Sequence, residues 1–139
     1  MTVHAPVPDY AAARQAMVDS QLRPQGVNDP PVLAAMSVVP REKFVPEERR
    51  ALSYVDAAIP LGEGRAMPAA SVPGMLLTAL TPMRGETALV VGAGSGYSAA
   101  ILREMGIDAI ALESSPALAA AAKKLGISVA EGPLEEGHK

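Results

Sequence analysis

The pattern of apolar and polar positions changes near residue 84. Ahead of that point, prolines and capping residues separate short helical stretches. Beyond it, short apolar runs alternate with stretches of helical character. We therefore divide the chain into a helical and loop region at 1–84 and an alternating strand and helix region at 85–139.

Caps and prolines mark two helices near the start of the chain. Asp9 can cap a helix that continues to about Leu22. Asn28 or Asp29, followed by two prolines, begins a second helix, because proline is tolerated where the first amide lacks a partner. That helix should end before Pro40.

Two further helices flank a segment without a usable period. Pro46 opens a short charged helix whose faces we expect to be solvated. Ser71 and Pro73 resemble the cap and first turn of another helix, which ends near Pro82. Between these helices, residues 55–70 contain two glycines and two prolines, which predicts a loop long enough to be suspected of function.

From Thr87 onward the chain has a strand, helix, strand, helix, strand pattern. The apolar runs TALVV, DAIALE and ISVAE are short, as expected for strands buried on both faces. Gly106 and Gly126 follow the two helices where a left-handed residue is needed, and Ser115 caps the second helix. Right-handed crossovers then place the strands side by side as the 3-2-1 half of a doubly wound α/β sheet, a Rossmann-like fold.

A glycine-rich segment follows the first of these strands. Gly92, Gly94 and Gly96 permit a sharp turn and the close approach of a ligand, in front of helix amides that favour polar groups. Glu113, at the end of the second strand, can accept hydrogen bonds from both hydroxyls of a ribose. Tyr97 stands where a dinucleotide site needs glycine or alanine, which disfavours a nicotinamide or flavin cofactor. The alternative interpretation is that the glycines form only a tight strand-to-helix turn and that Glu113 is an exposed acid at the end of a strand.

Composition and charge exclude several kinds of site and disfavour some partners. The 139 residues are 49% hydrophobic, enough for one domain, and the absence of cysteine excludes disulfides, thiolate metal sites and a cysteine nucleophile. His4 and His138 lie too far apart to indicate a metal site. The net charge of −3 makes nucleic acid an unfavourable partner, and the sequence contains no run of 18 apolar residues. We expect a cytoplasmic protein without a membrane span.

Several segments resemble a known family. VVGAGSGYSAA resembles the first motif of S-adenosylmethionine-dependent methyltransferases. LRPQGV, VLAAMSVVPREKFVP and SYVDAAIPLGEGRAM look like successive signatures of protein-L-isoaspartate O-methyltransferases, and the resemblance covers about residues 12–139. It implies a Rossmann-like methyltransferase fold and repair of damaged proteins by methylation of isoaspartyl carboxyls. It also implies that S-adenosylmethionine contacts Gly92, Ala93, Gly94, Ser95, Gly96, Glu113 and Gly132.

Three departures from the family pattern concern activity. The family's Ser-Gln-Pro falls on residues 68–70, with Pro68 at the serine position, so the catalytic residue is unassigned. Ser71 substitutes only if the alignment shifts by three residues. The family's Gly-Asp after the third strand falls on Gly132 and Pro133, which removes an acceptor for the adenine edge. The later strands of the family's sheet are not in this sequence, which reads as an N-terminal part or a truncated product.

The residues leave three functions open. The first is carboxyl methyl transfer to isoaspartyl-containing proteins or peptides. The second is binding of S-adenosylmethionine by a catalytically impaired relative or fragment, and the third is a remnant that binds nothing. Because the first strand lacks a partner on one side, we also expect an exposed edge and self-association of this form.

Overall fold

The computed structural model describes residues 8–134. His4 and His138, the two histidines of the sequence, lie outside these residues. The described part contains a helical front that includes a two-stranded hairpin, followed by a three-stranded parallel sheet with its helices.

The front helices confirm the predicted cap at Asp9 and the predicted helix ends, whereas Asp29 precedes α2 without a side-chain cap hydrogen bond. Helix α1 spans Tyr10–Met17 and continues as a π-helical turn at Val18–Leu22 and a 3₁₀ turn at Arg23–Gln25. The carboxylate of Asp9 accepts a hydrogen bond of 3.0 Å from an amide in the first turn of α1. Helix α2 spans Pro30–Val38 and ends before the next proline, as predicted. Two 3₁₀ turns follow, at Arg41–Phe44 and Glu47–Leu52.

The predicted loop at 55–70 is wrong in its middle, where an antiparallel hairpin forms. Strand β1 spans Ile59–Gly62 and strand β2 spans Arg65–Met67. Residues 62–64 of the turn all have positive φ, and glycine at two of these three positions allows this path. Strands of four and three residues, the first containing Pro60, are too short to show a period-2 pattern in the sequence.

Helix α3 spans Ser71–Leu80, which corrects the predicted role of Ser71. Ala70 precedes it with φ −59° and ψ −29°, so the chain is already helical one residue before Ser71. Ala70 occupies the cap position, and in the described residues no side chain at that position accepts a hydrogen bond from an amide of the first turn. Ser71 is therefore the first residue of the helix and not its cap. The helix ends at Thr81, whose φ of 45° is left-handed, close to the predicted end.

The second half has the predicted alternation of strands and helices. Strands β3, β4 and β5 are parallel and lie in the order β3-β4-β5, which confirms the 3-2-1 arrangement. Their bounds, with those of helices α4 and α5, are β3 Thr87–Val91, α4 Tyr97–Glu104, β4 Asp108–Glu113, α5 Pro116–Lys124 and β5 Val129–Glu131.

The ends of these helices also match their predicted signals. The hydroxyl of Ser115 accepts a hydrogen bond of 3.3 Å from the amide of Leu118, which caps α5. Gly106 and Gly126 have φ of 86° and 82° and close α4 and α5. Both signals act within a few residues of the chain, which is why the sequence reveals them.

The expectation that every strand is buried on both faces is wrong: β3 has an exposed face, Ile110 of β4 is 44% exposed and no residue of β5 is buried. Leu89 and Val91 are 49% and 53% exposed, and in the described part of the chain no strand pairs with the outer edge of β3. The exposed side chains of α3 lie across the same space. We call this surface the apolar cleft and define it by Val72, Leu76, Leu80, Leu89 and Val91.

The two serines provide a matched test of the helix starts. Ser115→Ala removes a real cap, so the free energy of unfolding should fall by about 1 kcal/mol. Ser71→Ala removes no cap and should change it by less than about 0.5 kcal/mol. Urea denaturation of both variants measures the difference. An equal loss in the two would show that Ser71 caps α3 after all.

Candidate functional site

The glycine-rich segment forms the tight turn between β3 and α4. Gly92, Gly94 and Gly96 all have left-handed φ, of 64°, 61° and 97°. A Cβ on Gly96 would lie 3.0 Å from Cγ1 of Ile127, so only glycine lets the start of α4 pack here. A Cβ on Gly94 would lie 3.2 Å from Cδ1 of Leu61 in the hairpin. The turn is therefore packed on one side by β1 and on the other by the segment before β5.

Glu113 lies beside this turn at the end of β4 and is 1% exposed. Its Oε1 accepts hydrogen bonds from the amide of Gly94 at 2.7 Å and from Nη2 of Arg65 at 2.8 Å. Its Oε2 accepts from the amide of Ser115 at 2.7 Å and from Nη1 of Arg65 at 2.9 Å. Arg65 Nη2 also donates to the carbonyl of Gly92 at 3.0 Å. One carboxylate thus joins the glycine turn, α5 and the hairpin.

These donors decide the charge of Glu113. Burial raises the pKa of its carboxyl, but the hydrogen bonds from Arg65 and from the amides of Ser115 and Gly94 lower it by more, so the net pKa is below its ordinary value. Glu113 is therefore ionised at neutral pH. The alternative of an exposed acid at a strand end does not hold, because the side chain is buried.

An open cleft of about 590 Å³ lies over the turn. This cleft includes the five residues of the apolar cleft and continues to Arg65 and the glycine turn. Its walls come from the hairpin, α3, β3 and the start of α4. The predicted contacts that line it are Gly92, Ala93, Gly94 and Ser95. Arg65 and Pro68 also line it.

Two of the predicted contact residues, Ser95 and Gly132, make internal hydrogen bonds. The hydroxyl of Ser95 donates to the carbonyl of Phe44 at 2.5 Å, so only its remaining atoms face the cleft. The amide of Gly132 donates to the backbone carbonyl of Glu113 at 2.9 Å, which places it beside the site. Among the residues described, three predicted contacts are not part of the cleft lining: Gly96, Glu113 and Gly132. Glu113 lies behind the lining, buried under Arg65.

The altered segment at 68–70 rests on a buried arginine that sequence reasoning missed. Arg41 is fully buried, and its Nη2 donates to the carbonyl of Pro68 at 3.0 Å. Its Nε donates to the carbonyl of Ser53 at 2.6 Å, and its guanidinium carbon lies 5.0 Å from the ring centre of Tyr97. Pro68 therefore has a carbonyl that is already bonded to Arg41 and no side-chain hydroxyl.

A second polar cluster fixes the neighbouring segments. Oε1 of Glu42 accepts from the hydroxyl of Tyr54 at 2.5 Å and from Nη2 of Arg14 at 3.0 Å. Burial and the contact with Glu42 raise the pKa of Tyr54, so the phenol stays protonated and acts as a donor. Arg41 and Glu42 were predicted only as part of a family signature. Both are buried and hold neighbouring segments through hydrogen bonds.

In residues 8–134, no three acidic, histidine or cysteine side chains lie close enough together to hold a metal ion. Of the helices in that range, none has the length and apolar character needed to cross a membrane.

Comparison with known proteins places this geometry in one family. Residues 12–128 match the family described as Protein-L-isoaspartate(D-aspartate) O-methyltransferase (PCMT). A Methylorubrum extorquens protein named protein-L-isoaspartate O-methyltransferase is 41% identical over 137 residues, which cover 96% of this chain and 60% of that protein. The match therefore spans about 60% of the length of that relative.

Solved structures confirm the predicted fold class. One titled protein-L-isoaspartate O-methyltransferase superposes with a TM-score of 0.71 at 24% identity, over 86% of this chain and 41% of that one. A Plasmodium falciparum structure whose title gives the same enzyme, in complex with S-adenosyl-L-homocysteine, has a TM-score of 0.68 at 23% identity and covers 80% and 53%. Both likenesses show a Rossmann-like methyltransferase fold.

The lowered pKa of Glu113 predicts a specific dependence of stability on pH. Since the folded-state pKa is below the unfolded value of about 4.3, ionised Glu113 stabilises the protein above that pH, and the contribution is lost as pH falls through the folded-state value. Glu113→Gln should therefore be less stable than the wild type at pH 7. The difference should shrink below about pH 4.

Urea denaturation at pH 7, 5, 4 and 3 measures this difference. Glu104→Gln serves as the control, because Glu104 is an exposed carboxylate at the end of α4. A difference between wild type and Glu113→Gln that is constant across this range would contradict the assigned charge of Glu113.

Proposed function

Since the chain belongs to the protein-L-isoaspartate O-methyltransferase family, we propose that it takes part in carboxyl methyl transfer from S-adenosylmethionine to isoaspartyl residues of damaged proteins. The observation that carries the proposal is the buried carboxylate of Glu113, which accepts a hydrogen bond from the amide of Gly94 in the glycine turn. In this proposal, the partners of the chain are isoaspartyl-containing proteins or peptides.

The site residues fit an adenosine-bearing cofactor. The left-handed glycines at 92 and 94 line the cleft and add no side chain of their own to the turn. The carboxylate of Glu113 is an acceptor suited to the two hydroxyls of a ribose. The cofactor would supply the chemistry as a methyl group on a positively charged sulfur. Around it, the protein contributes the acceptor, the turn and the apolar wall of the cleft.

The methyl acceptor needs little chemical help from the protein. An isoaspartyl carboxyl has a reference pKa near 4, so it is ionised at neutral pH and needs no general base. Holding the carboxylate oxygen in line with the methyl carbon and the sulfur can contribute roughly 7 to 11 kcal/mol. The task of this chain is therefore orientation and the exclusion of water.

Proline at position 68 limits how well the chain can orient the acceptor carboxylate. One hydrogen bond to a charged group contributes roughly 1.5 to 3 kcal/mol. Because Pro68 has no hydroxyl, transfer should be slower by about ten- to a hundredfold than with a serine at that position. Ser71 lies outside the cleft lining of the described residues, which favours the unshifted alignment.

Two measurements test this function on the purified protein. Transfer of labelled methyl to an isoaspartyl peptide, against the same peptide with ordinary aspartate, tests the reaction. Calorimetry with S-adenosylhomocysteine tests the cofactor. Glu113→Ala should weaken that binding by at least about 1.5 kcal/mol, because the ribose hydroxyls lose their acceptor. Glu104→Ala should leave binding unchanged.

Each outcome selects one of the three functions. Binding together with methyl transfer to the isoaspartyl peptide alone supports the proposal. Binding without transfer would indicate a catalytically impaired relative, and neither would indicate a remnant. Unchanged affinity in Glu113→Ala would remove Glu113 from the cofactor site.

We also propose that this form self-associates through the outer edge of β3 and the apolar cleft. Leu76, Leu80 and Val91 are each more than half exposed there, and backbone groups along a strand edge can pair with another chain. Sedimentation velocity at micromolar concentrations should show a mass that rises with concentration. Leu89→Lys, on the exposed face of β3, should reduce that rise. A monomer at all concentrations would contradict the proposal.

A further inference from the structure

The carboxylate of Glu113 has no acceptor position left for a ligand in this structure. An ionised carboxylate offers about four lone-pair positions on its two oxygens. Two are taken by the amides of Gly94 and Ser115, and two by the guanidinium of Arg65. The proposed function requires the same carboxylate to accept both ribose hydroxyls. The two requirements are met only if one pair of donors leaves.

The pair that can leave belongs to Arg65. The amides of Gly94 and Ser115 are backbone groups of the glycine turn and of the residue that caps α5, so removing them would disrupt both elements. The side chain of Arg65 is 32% exposed and reaches the site from a short hairpin. A guanidinium that already contacts water can return to water at small cost.

The guanidinium and a ribose diol are equivalent in donor number. Nη1 and Nη2 of Arg65 approach the two oxygens of Glu113 at 2.9 and 2.8 Å, one donor to each oxygen. The 2′ and 3′ hydroxyls of a ribose also present two neighbouring donors. An exchange of one for the other leaves Glu113 with four hydrogen bonds before and after.

We propose that Arg65 holds the ribose positions of Glu113 in the free protein and is displaced by the cofactor, so that it sets the cofactor's affinity. The inference rests on the proposed function. Arg65 keeps the buried carboxylate paired while the site is free, since an unpaired buried charge would be costly. In return, every ligand that uses Glu113 has to break a bidentate ion pair. The affinity for S-adenosylhomocysteine is therefore lower than it would be if Arg65 were not paired with Glu113.

The proposal predicts a gain of affinity from the loss of a site residue. Arg65→Met removes the competing donors and keeps an unbranched apolar stem, so S-adenosylhomocysteine should bind about tenfold more tightly in calorimetry. Arg23→Met is the matched control, because Arg23 is an exposed arginine that pairs with Asp19 away from the site. Its affinity should equal that of the wild type.

A double-mutant cycle isolates the pair. In the Glu113→Ala background, Arg65→Met should have no effect, because no carboxylate remains to compete for. Ionic strength gives an independent readout. Raising KCl from about 50 to about 500 mM weakens the partly exposed ion pair, so wild-type affinity should rise while that of Arg65→Met stays constant.

Arg65→Gln keeps one neutral donor for Glu113 and covers the case in which Arg65→Met does not fold. Its affinity should lie between the wild type and the tenfold gain. If S-adenosylhomocysteine binds wild type and the Arg65 variants equally, or binds the variants more weakly, the role of Arg65 is overturned and the proposed function stands. If none of the folded proteins binds it, the proposed function itself fails and the inference fails with it.

Discussion

The structure depends on keeping one buried negative charge satisfied. The carboxylate of Glu113 is 1% exposed and lies where the glycine turn, the start of α5 and the hairpin meet. Because a buried charge without partners is strongly unfavourable, each of these three elements has to supply a donor in the correct position. The left-handed turn at Gly94 presents its amide, and the cap of α5 presents the amide of Ser115. The hairpin presents Arg65.

A buried positive charge plays the corresponding role under the altered segment. Arg41 is fully buried, and its acceptors are the carbonyls of Ser53 and Pro68. Burial lowers the pKa of its guanidinium, which nevertheless stays protonated because its ordinary pKa is very high. Among the described residues, its Nη1 has no hydrogen-bond partner. Arg41 thus holds the carbonyl of Pro68, which lines the cleft, and connects the segment around Arg41 to the hairpin's end.

Local signals in the sequence predicted most of the fold. The caps at Asp9 and Ser115, the closing glycines and the strand and helix alternation all arise from interactions within a few residues, and all are confirmed. The prediction failed where a neighbour decides the outcome. Ser71 carries the residue type of a cap, but Ala70 already has helical geometry. The exposure of β3 also depends on which elements cover it.

The candidate site was predictable only in part, for the same reason. The glycine turn and Glu113 follow from a pattern at the first and second strands. Arg65 is 48 residues from Glu113, and nothing in the sequence around it indicates an ion pair across that separation. The hairpin that carries Arg65 is formed by strands too short to show a pattern. The one residue that competes with the ligand for Glu113 is therefore visible only in three dimensions.

A crystal structure of the protein with S-adenosylhomocysteine tests the central claim most directly, because it shows which donors Glu113 holds when the cofactor site is filled. The account predicts the two ribose hydroxyls on its oxygens, the amides of Gly94 and Ser115 still in place, and the guanidinium of Arg65 turned toward solvent. A complex in which Arg65 still bridges both oxygens of Glu113, with the ribose bound elsewhere, would contradict it.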